Sequence, residues 1–219
     1  MSAAAELREL LRLVVLTRPD PACGRSLSSV VGECLEAGCR AIQLRDKSAT
    51  AFELHRQAVQ LLPLVRTHRA VLFINDRLDV ALAAGAHGVH LGPEDLPLAA
   101  ARRSAPRPFL IGYSTDDPVA ARAAATAGAD YLGVGAVYGT ASKPGLTNEA
   151  VGADRVGTVI RASGLPCVGI GGITPRNAAE VAAAGAGIAV LSAVMDAARP
   201  GEVVRQLLEE IYRAGTGTR

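Results

Sequence analysis

Short apolar runs rich in Val, Ile and Leu recur along the chain, and between them lie longer stretches in which apolar residues return every third or fourth position. The runs are too short for buried helices and lack the strict alternation of a strand with one face in water. They read as strands covered on both faces, and the longer stretches as amphipathic helices. The pattern predicts strands over residues 13–16, 39–44, 71–74, 88–91, 109–111, 131–134, 167–170 and 188–191. Helices are predicted over 3–11, 26–37, 78–84, 96–104, 118–127, 154–162, 175–184 and 202–213, and over a segment that starts near Thr50. That last segment should bury Phe52, Leu54, Val59, Leu61 and Leu62, and Pro63 should kink it or restart its final turn. The closing helix should bury a broad face of Val203, Val204, Leu207, Leu208, Ile211 and Tyr212, and the opening helix, with Leu7, Leu10 and Leu11, should cap the closed end of the fold.

Four junctions between a helix and the next strand repeat one pattern: Ala37-Gly38, Ala84-Gly85, Ala127-Gly128 and Ala184-Gly185. Glycine there serves as a left-handed cap, and its small neighbours let the chain turn back into the sheet. Eight strand and helix units of about 25 residues predict an α/β protein, a (β/α)8 TIM barrel that spans residues 1–219 as a single domain with a short N-terminal helix. A doubly wound open sheet, the alternative, needs fewer strands and a sharper break in the pattern.

Composition narrows the function classes. A net charge of +2 and 3% aromatic residues offer neither a basic stripe nor stacking platforms, so no nucleic acid partner is expected. No apolar run approaches the ~20 residues of a membrane helix, and Glu6 stands where a signal peptide would be apolar, so the expectation is a cytoplasmic protein with no membrane partner. Cys23, Cys34, Cys39 and Cys167 form no CxxC pair and receive no role. A homo-oligomer is left open.

Candidate chemistry gathers where the strands end, since ligands of parallel β/α barrels bind outside the C-terminal ends of the strands. Leu72-Phe73-Ile74-Asn75-Asp76-Arg77 and Gly88-Val89-His90-Leu91-Gly92-Pro93-Glu94-Asp95 place Asp76 and Asp95 on neighbouring strand ends. Two such carboxylates repel unless a proton or cation lies between them, and hard oxygen ligands suit Mg2+. Arg45 and Lys47 follow the second strand with Asp46 turned the other way, a pairing suited to a diphosphate. Gly171-Gly172 and Ser192-Ala193 end the seventh and eighth strands, where this fold often binds phosphate through bare backbone N–H groups. The stretch 135–153 is too long to be a mere connection, and Lys143 lies in it among small hydroxyls, as a lid over a charged ligand would require. His55, His68, His87 and His90 are left out of the site, and His90 reads as a satisfied core histidine.

Six strings in order now stand at successive strand ends: Gln43-Leu44-Arg45-Asp46-Lys47, Ile74-Asn75-Asp76-Arg77, the segment from Gly88 to Asp95, Gly112-Tyr113-Ser114, the segment from Gly135 to Lys143, and Gly169-Ile170-Gly171-Gly172-Ile173-Thr174. Together they resemble the thiamine phosphate synthase family over nearly the whole chain. The resemblance implies a transferase that joins hydroxymethylpyrimidine diphosphate to thiazole phosphate and releases diphosphate with the help of Mg2+. It implies that Gln43, Arg45, Lys47, Asn75, Ser114 and Lys143 hold the pyrimidine diphosphate, with Arg45, Lys47 and Lys143 catalytic. It further implies that Asp76 and Asp95 bind the metal, and that Thr140, Ser142, Gly172, Leu191 and Ser192 hold the thiazole phosphate. Three departures stand out: Pro93 replaces the family's usual Gln, Gly135-Ala136 replaces Gly-Pro, and Ser142 replaces a threonine. Pro93 removes a backbone donor in the metal loop. A thiazole tautomerase on the same barrel is the nearest rival, but it carries a histidine where this chain has Asp116. A non-catalytic phosphate sensor would leave Asp76 and Asp95 unexplained.

Overall fold

The computed structural model describes residues 3–21, 24–139 and 150–216; Cys23, Thr140, Ser142 and Lys143 lie outside the described residues. The apolar runs form β1 (Leu13–Leu16), β2 (Ala41–Leu44), β3 (Val71–Asn75), β4 (Gly88–Leu91), β5 (Leu110–Ser114), β6 (Tyr131–Val134), β7 (Cys167–Ile170) and β8 (Gly187–Val190). All are parallel and pair in chain order, and β8 returns to β1 to close the barrel. Around them run α1 (Ala3–Leu10), α2 (Leu27–Glu36), α3 (Ala51–Thr67), α4 (Leu78–Ala84), α5 (Leu98–Ser104), α6 (Pro118–Ala127), α7 (Gly152–Ser163), α8 (Ala178–Ala183), α9 (Ser192–Met195) and α10 (Pro200–Thr216). Among these helices, none is long and apolar enough to cross a membrane.

Apolar side chains fall into two layers. Val14, Ala41 and Val71 lie opposite one another on β1, β2 and β3, and with Phe73, Tyr131, Val168 and Ala189 they fill the barrel interior. Leu7 and Leu10 of α1 pack against this interior cluster, so the opening helix seals one end of the barrel. A larger shell between strands and helices holds the remaining buried aliphatics. The glycines of the four repeated junctions all have left-handed backbones, with φ of 110° at Gly38, 68° at Gly85, 105° at Gly128 and 88° at Gly185.

Several sequence expectations shift. The strand expected over 39–44 starts at Ala41, since the Cys39 N–H still bonds back to the Cys34 carbonyl of α2 at 3.0 Å. β5 continues through Gly112, Tyr113 and Ser114, which pair with β4 and β6 although only its first residues are apolar. A short helix, α9, which the apolar pattern does not mark out, follows β8. α3 buries Leu54, Ala58, Leu61, Leu62 and Val65 and runs without a break past Pro63. Phe52 and Val59, expected inside, are 76% and 46% exposed. They are apolar, but they lie on the flank of α3 away from the centre of the buried set and face the solvent. Tyr212 is exposed as well, with the Arg12 guanidinium 4.4 Å from its ring centroid.

The entry to β5 and β6 is held by one buried ion pair. Arg102 donates to the carbonyls of Ala105, Phe109 and Gly128 and pairs with Asp130, whose carboxylate also accepts the Ile111 N–H at 2.8 Å. The two side chains are 15% and 8% exposed, whereas Arg107, the second partner of Asp130, is 63% exposed. Breaking a buried pair leaves an uncompensated charge, at a cost of about 3–5 kcal/mol, while an exposed partner contributes about 0–1 kcal/mol. Urea unfolding should therefore show a large loss for Arg102→Ala and a small one for Arg107→Ala. Equal losses would contradict this account of the clamp.

Candidate active site

At the exits of β3 and β4, strand register brings the two carboxylates together. Asn75 lies opposite His90, so the residue after β3 and the turn after β4 are neighbours. The Asp76 N–H donates to the His90 carbonyl at 2.8 Å, and Asp76 itself has φ 63°. That left-handed backbone is uncommon for a residue with a side chain, though aspartate tolerates it better than most. On the β4 side, the Asp95 N–H closes a turn onto the Gly92 carbonyl at 3.2 Å, and the Asp95 carboxylate accepts the Gly92 N–H at 2.6 Å. Pro93 occupies the second position of this turn, where proline is favoured and no N–H is required. The donor that Pro93 removes is therefore not one this turn uses.

The Asp76 and Asp95 side chains lie close enough to interact. Burial and the neighbouring Asp95 carboxyl push the Asp76 carboxyl up to about 6, while Lys47 and Arg45 pull it partly back. Two carboxyls set together favour a shared proton, and a cation can take that proton's place. Among the described residues no group of three or more His, Cys, Asp or Glu side chains could hold a metal ion. The donor set thus excludes an all-protein cage there but fits an ion that keeps waters and completes its shell with phosphate oxygens, as Mg2+ does.

The cations near this pair are placed by the loop after β2. Thr17, fully buried at the exit of β1, donates its N–H to the Gln43 carbonyl, and its hydroxyl accepts the Arg45 N–H at 3.0 Å. Asp46 turns back into its own loop and accepts from the Ser48 N–H, the Ser48 hydroxyl and the Ala49 N–H. Burial alone would raise its pKa, but these bonds hold it low. With Asp46 committed there, Arg45 and Lys47 supply the positive charge that Asp76 feels.

Inside the mouth, polar groups replace the apolar filling. His90 is buried, and both of its ring nitrogens have partners: Nδ1 lies 3.0 Å from the Tyr131 hydroxyl and Nε2 2.9 Å from the Ser114 hydroxyl. Gln43 is buried as well, and its amide acts against the burial that pushes the Tyr131 phenol up. Burial holds the His90 imidazole down to about 4, against the opposing charge of Asp95. His90 is thus the satisfied interior histidine that the sequence suggested. Nothing in the apolar pattern says that it bonds Ser114, a proposed ligand, and Tyr131 stands out only as a strand residue. The available signal was small: Gly112, an unusual strand residue, lies opposite both His90 and Tyr131.

A second cluster forms where β7 and β8 end. Gly171 and Gly172 have φ of 100° and 66°, and a Cβ on Gly172 would lie 2.7 Å from the Gly139 carbonyl. The chain after β6 runs alongside, with Val137 and Tyr138 donating to the carbonyls of Ile170 and Gly171. Bare backbone is therefore required here by packing as well as by any ligand. Asn177 braces the turn by donating to the Gly172 carbonyl and accepting the Thr174 N–H. Leu191 caps α9, and Ser192 is exposed as its first residue. The flanks of the expected lid meet at the same place: Val151 and Gly152 donate to the carbonyls of Ala136 and Val137, and the Tyr138 hydroxyl donates to Glu180 at 2.6 Å.

The structure therefore gathers Gln43, Arg45, Lys47, Asn75, Asp76, Asp95 and Ser114 at the exits of β2 to β5, and Gly172, Leu191 and Ser192 at the exits of β7 and β8, all at one end of the barrel. Comparison with known proteins identifies the family. The family model for thiamine monophosphate synthase matches residues 13–194. The thiamine-phosphate synthase of Natronomonas pharaonis is 46% identical over 199 residues, covering 90% of this chain and 93% of that protein. The thiamine biosynthesis bifunctional protein ThiM/ThiE of Symbiobacterium thermophilum is 48% identical over 212 residues; the match takes in 96% of this chain but 43% of that longer protein. In three dimensions, the thiamine phosphate pyrophosphorylase of Pyrococcus furiosus superposes with a TM-score of 0.86 at 37% identity, covering 95% of this chain and 98% of that one. By sequence and by fold, the chain belongs to the thiamine monophosphate synthase family.

Proposed function

We propose that this chain is a thiamine-phosphate synthase, a transferase that joins hydroxymethylpyrimidine diphosphate to thiazole phosphate and releases diphosphate. The observation that carries the reading is the pair Asp76 and Asp95, brought together by the register of β3 and β4 beside Arg45 and Lys47. A phosphate sensor has no use for two carboxylates forced together, and an isomerisation that releases no anion has no use for the cations that face them.

In this reading the pyrimidine ring enters the polar interior against Gln43, Asn75 and Ser114, and its diphosphate lies across Arg45, Lys47 and Lys143. Asp76 and Asp95 would hold Mg2+, which when bound neutralises charge on the diphosphate. The C–O bond of the pyrimidine's methylene ionises, because an aminopyrimidine delocalises the resulting cation, and the thiazole nitrogen then forms the new C–N bond. Arg45, Lys47 and Lys143 stabilise charge as it develops on the departing oxygen. The thiazole phosphate is held by Thr140 and Ser142 and by the backbone of Gly172, Leu191 and Ser192. No general base is needed, since the nitrogen lone pair is free at neutral pH. Closure of the segment that carries Lys143 keeps water from trapping the cation. All reactants are small phosphorylated metabolites, and we place the reaction in the cytoplasm.

Three measurements test the proposal. Incubation with both substrates and Mg2+ should yield thiamine phosphate and diphosphate; a folded protein that forms neither overturns the assignment. Asp76→Asn and Asp95→Asn should each lower turnover by about 10²-fold or more, the scale for losing one preorganised charge-stabilising group. The double variant should lose less than the product of the two, because both act through one ion; fully multiplicative losses would assign the carboxylates separate tasks. Gly172→Ala puts a side chain at φ 66° and 2.7 Å from a carbonyl. It should raise KM for thiazole phosphate while leaving KM for the pyrimidine diphosphate within about twofold, a difference well below 1.4 kcal/mol. A rise confined to the pyrimidine substrate would place the phosphate elsewhere.

A further inference from the structure

The polar interior holds a feature that the proposed mechanism does not use. Tyr131, His90 and Ser114 form one chain of hydrogen bonds in the barrel interior, and its end member Ser114 is a residue assigned to the pyrimidine. A Cβ on Gly112 would lie 2.2 Å from the Tyr131 ring and 2.4 Å from His90 Nδ1, and one on Gly133 would lie 3.0 Å from His90 Cε1. Glycine inside a strand costs about 0.5–1 kcal/mol relative to alanine, so Tyr131 and His90 occupy a slot that weakens the strands forming it.

A neutral imidazole carries one ring proton, and its position sets every bond in the chain. With the proton on Nε2, His90 donates to Ser114, which turns its own O–H outward as a donor. Nδ1 then accepts from Tyr131. With the proton on Nδ1, both bonds reverse, and Ser114 presents an acceptor. The ring proton of His90 therefore decides which group Ser114 offers.

We propose that Tyr131, His90 and Ser114 work as a single relay that fixes which hydrogen-bonding group Ser114 presents to the edge of an aminopyrimidine, with His90 and Tyr131 as positioning residues. The edge of such a ring places an amine donor beside a ring-nitrogen acceptor, so the group that Ser114 presents decides which of the two it binds. The inference rests on the reading that Ser114 faces the pyrimidine. The relay explains why a histidine and a tyrosine are buried where aliphatic side chains would pack the barrel more simply.

The test is a double-mutant cycle on binding, with hydroxymethylpyrimidine diphosphate and thiazole phosphate titrated separately. Ser114→Ala and His90→Leu should each weaken the pyrimidine diphosphate roughly tenfold, the scale of one oriented hydrogen bond. The double variant should be no weaker than the worse single variant within about twofold, since both remove the same interaction. Affinity for thiazole phosphate should not move, and His90→Gln should restore binding by returning an amide to the place of Nε2. Tyr131→Phe, which keeps the ring and its packing, should weaken the pyrimidine diphosphate alone and covers the case in which His90→Leu does not fold. If Ser114→Ala leaves pyrimidine affinity unchanged, the reading of Ser114 as a ligand fails. If Ser114→Ala weakens binding but His90→Leu and Tyr131→Phe do not, or if losses multiply or extend to both substrates, the relay is overturned while that reading stands.

Discussion

Two carboxyls set together cannot both stay charged without help, and the open end of this barrel is arranged around that constraint. Asp76 and Asp95 are brought together by the register of β3 and β4, and the Asp76 carboxyl is raised as a result. The backbone gives way to keep them there: Asp76 adopts φ 63°, and the Gly92 to Asp95 turn closes on itself. Positive charge from Arg45 and Lys47 partly relieves the pair, and those side chains are free to do so because Thr17 fixes the backbone of Arg45 while Asp46 binds its own loop. Each of these neighbours makes more sense as a response to the two carboxyls than alone.

The rest of the barrel separates stability from chemistry along its axis. At the end that α1 seals, the interior is filled by Val, Ala, Leu and Phe, and the shell around it by aliphatics packed under the helices. At the other end the filling turns polar, and Thr17, Gln43 and His90 are the buried polar side chains among the described residues. Buried polar groups are tolerated only when they are hydrogen-bonded. Here Thr17 joins two strand exits and His90 joins two strand interiors, so the groups that line the mouth are held by bonds rather than by shape.

Much of this was legible in the sequence because it depends on local order. Eight apolar runs between helical stretches, with Gly38, Gly85, Gly128 and Gly185 at repeated junctions, lead to a closed parallel barrel, and strand ends lead to Asp76, Asp95, Arg45 and Gly172. What depends on cross-strand neighbours was not legible. The extent of β5 is hidden because its last residues are not apolar, and the bonds from His90 to Tyr131 and Ser114 join residues 41 and 24 positions apart. Phe52 and Val59 were misjudged because apolar character alone does not say which side of α3 a residue takes. The double glycine at 171 and 172 was read as an opening for a ligand, while its left-handed backbone and its contact with the chain after β6 show a packing demand as well.

The central claim is that Asp76 and Asp95 share one cation with a diphosphate, and linkage offers the most direct measurement of it. Affinity for hydroxymethylpyrimidine diphosphate should be titrated calorimetrically with Mg2+ and again in excess chelator. The account predicts that Mg2+ tightens the diphosphate by about tenfold or more, and by reciprocity that the diphosphate tightens Mg2+ by the same factor. Equal affinity in the two titrations would contradict it.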